Sequence, residues 1–511
     1  MTQQHPQEPN EEDIDSATIA MENALSGYSF DLVQLASKSN SSEKYLDDRQ
    51  LTLNHFVGVV IAAHNESVVD TACECIAAIC KAAGLASESQ MALLSDGLTH
   101  PLARVRILVL RLLAADASSE RAQTRLQLAP LIIDCLDFAD SAVASAASAL
   151  LLATADTHLS QLISPDNVSL LTSLFHTSSD TVSLRVCELV ISMAAQASPS
   201  DMHALEATGV FESMITEPLD STDVMKRLNT IEILTRLQST TSGFQFLDRT
   251  AVLTRISQYM RAYERANEDI DTLLSLTASI KFFAKLALAL GANSDAALGL
   301  VEDAYGFIQT IQTLLTTEEI DVRLDVKEAC LYAIGNAGSS RPGLILLSSH
   351  YPQSLDAVVE AARRGTGAIR VVACEALSCI LDNDASDARV SGESSRLFRD
   401  VGGCLFFLAM IQSFDEALRV AGYACLKAIS TYDWGLKAIR ESGQLVAFML
   451  DRSNEQSELG MKWRFSVMES IARNAAAKEI LREELFNRFV KYAKEGPFYS
   501  ESQPMVMMAS M

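Results

Sequence analysis

The 511-residue chain is poor in the residues that build sheets, tight turns and basic surfaces. Aromatic residues make up 6% of it, and there are only 22 glycines and 11 prolines. No alternating apolar and polar run ends in a hairpin-type turn, so the sequence favours helices over strands. The 41 basic residues stand against 65 acidic ones, for a formal charge of −24. That balance argues against a nucleic-acid partner and an anionic membrane surface, since both bind basic patches.

Long apolar runs are also missing. The longest strongly apolar stretches, such as residues 404–411, span about two helical turns. We therefore expect no segment that approaches the roughly 20 apolar residues of a transmembrane helix. Residues 1–15 are polar and acidic, and they contain neither the apolar core of a secretory signal nor an arginine-rich amphipathic pattern. These features predict a protein of the cytosol, and possibly also of the nucleus.

The motifs that carry catalysis are absent from the sequence. There is no phosphate-binding glycine loop, no His-Glu-x-x-His pair and no nucleophile elbow. The ten cysteines form no C-x-x-C pair, and no histidine pair completes a zinc site. We expect no metal, no cofactor and no enzymatic activity. Four cysteines inside apolar helical runs are predicted to be reduced and buried: Cys187, Cys330, Cys374 and Cys425.

A degenerate helical unit returns about every forty residues along the whole chain. Its anchors are apolar residues that open an amphipathic helix: Val69, Val105, Val143, Val182, Val224, Val322, Ile369 and Leu418. The long gap between Val224 and Val322 reads as two units. Several units also share an opening with a glycine turn, as at Gly209, Gly403 and Gly443. A helical period of this length predicts an all-α, armadillo/HEAT-like, right-handed superhelical solenoid of about ten to eleven repeats.

The composition divides the chain into a long array and two tails. Residues 1–15 are predicted to be a disordered acidic tail, residues 16–499 the solenoid, and residues 500–511 a methionine-rich tail. Residues 479–494 are predicted to form a capping helix. Two irregular stretches, 261–271 and 382–395, are predicted to be surface loops.

A binding surface is expected on the last helix of each unit, which lines the groove of an armadillo array. Its groove-facing positions lie four residues apart, at the helical period. The matching residues, here termed the groove residues, are Glu188, Glu232, Arg236, Lys281, Lys285, Tyr332, Asn336 and Glu375. Only Tyr332 and Asn336 keep the aromatic-plus-asparagine pair that grips extended peptides, and neither Trp434 nor Trp463 falls on the ladder. The groove therefore suits a folded partner of complementary charge, unless these residues are ordinary solvated helix faces.

Several segments, in collinear order, resemble one known family. They include VSLRVCELVIS at 182–192, IEIL at 231–234, KFFAKLA at 281–287, IARN at 471–474 and the ending EGPFY at 495–499. In these segments the chain resembles the family of the 26S proteasome non-ATPase regulatory subunit 5. The similarity is strongest over about 95–290 and 400–500, and it is weak before residue 54 and in 382–395.

The resemblance implies a specific role. Members of this family are chaperones for assembly of the proteasome base. They bind the C-terminal domain of one base AAA ATPase within an assembly intermediate, are absent from the mature particle and have no enzymatic activity. We expect the free protein to be a monomer. The repeats alone would equally support a generic armadillo adaptor or transport receptor that binds a different protein.

Overall fold

The computed structural model describes residues 88–114, 119–263, 269–293, 296–317 and 323–499. Every regular element in these ranges is a helix, and none of them contains a strand. The predicted all-α repeat fold is therefore confirmed. The two predicted tails, 1–15 and 500–511, and the repeat anchored at Val69 lie outside the described residues.

The described residues fall into two compact units, which divide between residues 217 and 218. The described helices of the first unit are α1 (Glu88–Thr99), α2 (Ala103–Ala114), α3 (Ser119–Gln127), α4 (Ala129–Asp134), α5 (Ser141–Leu162), α6 (Pro165–Thr177), α7 (Asp180–Gln196) and α8 (Pro199–Ala207). Helix α2 packs on α5, and α5 packs on α7. Short 3₁₀ and π-helical turns, at Cys135–Asp137 and Glu212–Thr216, connect these helices to the elements that follow.

The second unit contains the larger part of the described fold. After the three-residue helix α9 (Glu217–Leu219), its helices are α10 (Val224–Leu234), α11 (Thr241–Arg249), α12 (Val252–Arg261), α13 (Ile270–Asn293), α14 (Ala297–Tyr305), α15 (Phe307–Thr316), α16 (Leu324–Gly338), α17 (Arg341–His350), α18 (Pro352–Arg364), α19 (Gly367–Leu381), α20 (Ala388–Val401), α21 (Gly403–Ile411), α22 (Glu416–Ile429), α23 (Asp433–Glu441), α24 (Gly443–Leu450), α25 (Glu458–Arg473), α26 (Ala477–Leu481) and α27 (Glu483–Glu495).

Local sequence fixes where these helices begin and turn. The Asp223 carboxylate accepts hydrogen bonds from the amides of Met225 and Lys226 and so caps α10. Asp415 caps α22 in the same way. Two of the glycines in the shared opening, Gly209 and Gly403, have φ of 75° and 65°. These left-handed conformations explain why a residue without a β-carbon opens the unit.

Six helices of the second unit form one continuous row: α10, α13, α16, α19, α22 and α25. Each packs on the next. At the start of α22, Arg419 contacts Glu455 before α25, and at its end Ser430 contacts Ser470 near the end of α25. Arg227 and Gln238 likewise contact successive positions, Ser275 and the carbonyl of Phe282, in α13. These helices therefore run in the same direction, and the six are termed the parallel row.

Two helices correct the expectation that no segment approaches transmembrane length. Residues Ser141–Leu162 and Ile270–Ala292 are long and apolar enough by length and composition. Both are packed helices of the repeat: α5 lies against α2 and α7, and α13 lies between α10 and α16. Helices buried in a protein core meet the same test, because they too are apolar over most of their surface.

The predicted loop at 382–395 is mostly helix. Only residues 382–387 are irregular, and α20 begins at Ala388. Serines and charged residues interrupt the apolar pattern of α20 in the sequence. In the structure, however, Val390, Leu397 and Val401 are buried. The hydroxyl of the buried Ser394 lies 3.3 Å from that of Tyr432. Side-chain hydrogen bonding thus allows a polar residue to occupy a core position.

Candidate partner-binding surface

The eight predicted groove residues lie on or directly after five helices, one in the first unit and four in the second. Glu188 lies on α7 in the first unit. In the second unit the parallel row carries the others on α10, α13, α16 and α19, with Arg236 in the 3₁₀ turn after α10. Seven of the eight are exposed or half-exposed, and Asn336 is buried. The helical spacing therefore placed most of these side chains on the solvent side correctly.

Two groove residues on neighbouring helices pair with each other. Lys285 Nζ of α13 lies 2.7 Å from Glu232 Oε1 of α10, and both side chains remain partly solvent-accessible. An exposed pair of this kind contributes little to stability, typically below about 1 kcal/mol. The pair nevertheless shapes the charge pattern of the surface, because it places a carboxylate on α10 beside an ammonium group on α13.

The middle of the row presents a lysine and an aromatic ring to solvent. Lys281 is exposed one turn before Lys285 on α13. Tyr332 on α16 is 41% exposed, which is unusual for a side chain that could pack into a core. An exposed ring beside charged groups can contribute both apolar contact and a hydrogen bond to a bound protein.

Asn336 does not face the groove, contrary to the prediction. It is 7% exposed, and its Nδ2 lies 3.4 Å from the carbonyl oxygen of Ala284 in α13. The amide thus bonds to the neighbouring helix, so it is not available to an extended peptide. The helical period alone could not predict the burial of Asn336, because that burial depends on how closely α13 packs against α16.

Glu375 on α19 is exposed, and one turn later so is Cys379. Desolvation raises the pKa of the Glu375 carboxyl above its ordinary value. A lysine or arginine side chain of a bound protein would favour the ionised form of Glu375. This carboxylate is therefore suited to pair with a basic side chain.

The charged ladder continues beyond the predicted residues. Lys427 Nζ on α22 lies 3.4 Å from Asp382 Oδ2 at the end of α19. On α25, Arg473 lies 2.6 Å from Glu469, one turn away. A shallow cavity of about 510 Å³ between α22 and α25 is lined by Lys427, Glu469 and Arg473, together with three hydroxyl side chains. The glutamate–arginine spacing of four on an amphipathic helix was the signal that could have extended the ladder.

The C-terminal end of the array is closed by an arginine. Arg452 donates to the carbonyl oxygens of Gly496 at 2.9 Å and Tyr492 at 3.3 Å. Its guanidinium carbon lies 3.6 Å from the centre of the Tyr492 ring, and it also pairs with Glu495 at 3.1 Å. These contacts fix the EGPFY ending against the turn before α25. The predicted capping helix, 479–494, is broken at Arg482. Its larger part is α27, which packs on α25.

Among the described residues, no group of three or more histidine, cysteine, aspartate or glutamate side chains could hold a metal ion. The predicted buried cysteines Cys187, Cys330, Cys374 and Cys425 are free thiols in the core. Burial raises the pKa of Cys187 to about 12. Among the described residues, the surface of the parallel row carries paired charged side chains and the exposed ring of Tyr332.

Solved structures with a similar fold are helical-repeat proteins. The karyopherin Kap121p has a TM-score of 0.45 at 12% identity, over 89% of this chain and 48% of that one. A designed armadillo repeat protein, solved in complex with the peptide (KR)4, has a TM-score of 0.36 at 15% identity, over 50% of this chain and 96% of that one.

Relatives in sequence share one name, 26S proteasome non-ATPase regulatory subunit 5. The Homo sapiens protein is 25% identical over 424 residues, covering 80% of each chain. The Bos taurus protein is 24% identical over 430 residues with the same coverage, and the Drosophila melanogaster protein is 22% identical over 446 residues, covering 84% of this chain and 82% of that one. The family model described as "Proteasome non-ATPase 26S subunit" matches residues 31–510. The chain therefore belongs to the family of proteasome non-ATPase 26S subunits.

Proposed function

We propose that the protein is a chaperone for assembly of the base of the 26S proteasome regulatory particle. In this proposal it binds the C-terminal domain of one base AAA ATPase, holds it with other base subunits in an assembly intermediate, and is absent from the mature particle. It acts as a monomeric binding protein in the cytosol or nucleus, without a cofactor and without enzymatic activity.

The observation that carries the proposal is the collinear match to proteins named regulatory subunit 5, over 80% or more of both chains. The surface of the parallel row supports a folded partner. It carries pairs of opposite charge, among them Glu232 with Lys285 and Glu469 with Arg473. Opposed charges across an interface select a partner and set its orientation more than they add affinity.

The site in this proposal comprises the six solvent-accessible groove residues of the second unit, with Lys281, Lys285 and Tyr332 at the centre. Glu188 of the first unit stays a separate predicted contact. Asn336 contributes indirectly, because its hydrogen bond to Ala284 holds α16 against α13. The inward-facing Asn336 weighs against the alternative of a transport receptor or adaptor that grips an extended peptide backbone. A folded domain contacts side chains over several helices and needs no such ladder.

Affinity capture of the tagged full chain from cells, followed by mass spectrometry, tests the proposal. We expect base ATPases and a large base scaffold subunit, without core-particle subunits. Recovery of intact 26S particles would indicate a constitutive subunit and overturn the chaperone role. Recovery of cargo with nuclear-localisation signals, without base ATPases, would support the transport alternative.

A further inference from the structure

Exposed apolar side chains lie at the N-terminal ends of the parallel row, apart from the groove residues. Together they are termed the N-terminal rim: Met225, Ile270, Leu274, Leu324, Phe414 and Leu459. Because the helices of the row are parallel, these ends lie along one edge. Helix spacings of about 8–10 Å make that edge roughly 40–50 Å long. Single exposed apolar residues are ordinary, but here they recur at or just before the N-terminal ends of five of the six row helices, all except α19.

Phe414 is held out into solvent by a fixed backbone. Its side chain is fully exposed, yet its carbonyl oxygen accepts a hydrogen bond from Arg419 at 3.0 Å, as does that of Ser413 at 3.1 Å. Arg419 is itself held by the buried Glu455 carboxylate, 2.9 Å away. An aromatic residue before a helix cap often packs back onto the first turns of that helix. This ring does not, so it is pre-positioned for an external contact.

The same ion pair places a second apolar residue beside Phe414. Arg419 Nη2 lies 3.5 Å from the hydroxyl of Ser457, the cap of α25, and Glu455 accepts a hydrogen bond from the Ser457 amide. Leu459 follows two residues later and is half-exposed. Phe414 and Leu459 therefore flank the same Arg419–Glu455 ion pair.

The other end of the rim has the same construction. Arg227 of α10 donates to the carbonyl oxygen of Ser221 at 3.0 Å and to the hydroxyl of Ser275 in α13 at 3.1 Å. Met225 and Leu274 are the exposed apolar neighbours of these two contacts. The backbone that carries the rim is thus rigid at both ends, which lowers the entropy lost on binding.

Carboxylates flank the apolar residues along the rim. Asp269 and Asp271 lie on either side of Ile270, and Leu274 follows Asp271 by three positions. The other four rim residues each have an acidic residue within two positions, in Asp223, Asp325, Asp415 and Glu458. A matching surface must combine apolar side chains with lysine or arginine. A second copy of this rim would bring the same carboxylates together, and like charges across an interface disfavour association.

We propose that the N-terminal rim docks a basic, apolar-studded face of the same folded partner that the groove binds. This inference rests on the proposed chaperone function and extends its contact from the helix faces to the helix ends. It assigns Phe414 and Leu459 as apolar anchors, the kind of residue on which binding energy concentrates.

The test measures the affinity of the purified full chain for each full-length base ATPase recovered by affinity capture. We expect Phe414→Ser with Leu459→Ser to weaken binding at least about 10-fold, and Leu324→Ser about 3-fold or more. Leu405→Ser is the matched control, since Leu405 on α21 is 68% exposed and Leu324 67%, but Leu405 lies outside the row. Its affinity should stay within about 2-fold of the unaltered chain. Binding should also weaken as salt is raised.

Three results would overturn the inference. The first is unchanged ATPase affinity in rim variants whose circular dichroism and melting temperature are preserved. That result would reject the rim as a docking surface but not the chaperone proposal. Unchanged ATPase affinity together with conversion of a dimer to a monomer makes the rim a self-association face. Absence of binding between the unaltered chain and every base ATPase rejects the chaperone proposal itself, and the rim inference with it.

Discussion

Gly335 of α16 lies directly against Ala376 of α19. A β-carbon placed on Gly335 would lie 2.7 Å from the α-carbon of Ala376 and 2.9 Å from its β-carbon. Both contacts are shorter than side chains tolerate, so the missing side chain sets the spacing of the two helices. The groove residues Tyr332 and Glu375 lie on these same helices, and their separation depends on this contact.

Gly335→Ala should therefore destabilise the fold, although alanine is the better helix former. Forcing a methyl group into a packed helix contact costs about 1–3 kcal/mol, more than the roughly 1 kcal/mol gained in helix propensity. Gly392→Ala is the control, because Gly392 is exposed in α20 with nothing within 4 Å of the added β-carbon. It should raise the urea midpoint while Gly335→Ala lowers it. Equal shifts in the same direction would contradict the close contact.

The buried carboxylate of Glu455 should make stability depend on pH. Burial alone would raise its pKa, but hydrogen bonds from Arg419 and Ser457 lower it below the ordinary value. A folded-state pKa below the unfolded one, near about 4.3, means that the stabilisation is present above that pH. It is lost as pH falls through the folded-state pKa.

Glu455→Gln should lower the free energy of unfolding by about 2–4 kcal/mol at pH 7, because Arg419 loses a buried counter-ion. The difference between the two proteins should shrink as pH falls from about 5 to 3. Glu441→Gln is the comparison, since the Arg440–Glu441 pair is exposed and should contribute little. Urea unfolding at several pH values measures this. A pH-independent difference would show that Glu455 acts by packing and not by charge.

The cysteines should differ sharply in reactivity. Cys379 is exposed, whereas Cys187 and Cys330 are buried. Desolvation raises the pKa of all three thiols, so the difference in reactivity comes from solvent access. Alkylation of the native protein, followed by peptide mapping, should modify Cys379 well before the other two, which should react only on unfolding. Equal rates would contradict the burial, and stoichiometric zinc whose removal unfolds the protein would contradict a structural role for the thiols.

Sequence period predicted the helices whose apolar face repeats. The anchors Val182, Val224 and Leu418 lie within the first turns of α7, α10 and α22, and the long gap after Val224 contains the additional row helix α13. The first half of helix α20 was missed, because serine, aspartate and glycine supply eight of the fourteen residues of 382–395 and the core contacts of α20 include a hydroxyl pair. The low helix propensity of these residues predicts a loop. Packing against neighbouring helices stabilises the helix nevertheless.

The surface was less predictable than the fold, for a physical reason. Helical spacing identifies the side of a helix that carries polar residues, and it placed Lys281 and Tyr332 correctly on the exposed side. Helical spacing does not reveal how closely the neighbouring helix packs. The close packing of α13 buries Asn336. The Glu232–Lys285 pair likewise depends on two residues more than fifty positions apart, and a single sequence contains no local signal for such a contact.

The central claim is that the exposed face of the parallel row binds the C-terminal domain of a base ATPase. Isothermal titration of the full chain with that domain tests it most directly. Lys281→Glu with Lys285→Glu should weaken binding by more than about 2 kcal/mol, roughly 30-fold, because attraction becomes repulsion. Folding should change by no more than about 1 kcal/mol, because Lys285 loses an exposed ion pair with Glu232.

Two further variants separate the partner contact from the internal pair. Glu232→Lys with Lys285→Glu exchanges the charges but keeps the ion pair, so it should still weaken binding. Arg364→Glu on α18, whose partner Glu360 is also exposed, lies outside the row and should bind normally. We predict saturable binding by the unaltered chain. The two row variants, Lys281→Glu with Lys285→Glu and Glu232→Lys with Lys285→Glu, should lose this binding. Unaltered affinity in the row variants would contradict the site, and no binding to the domain of any base ATPase would contradict the function.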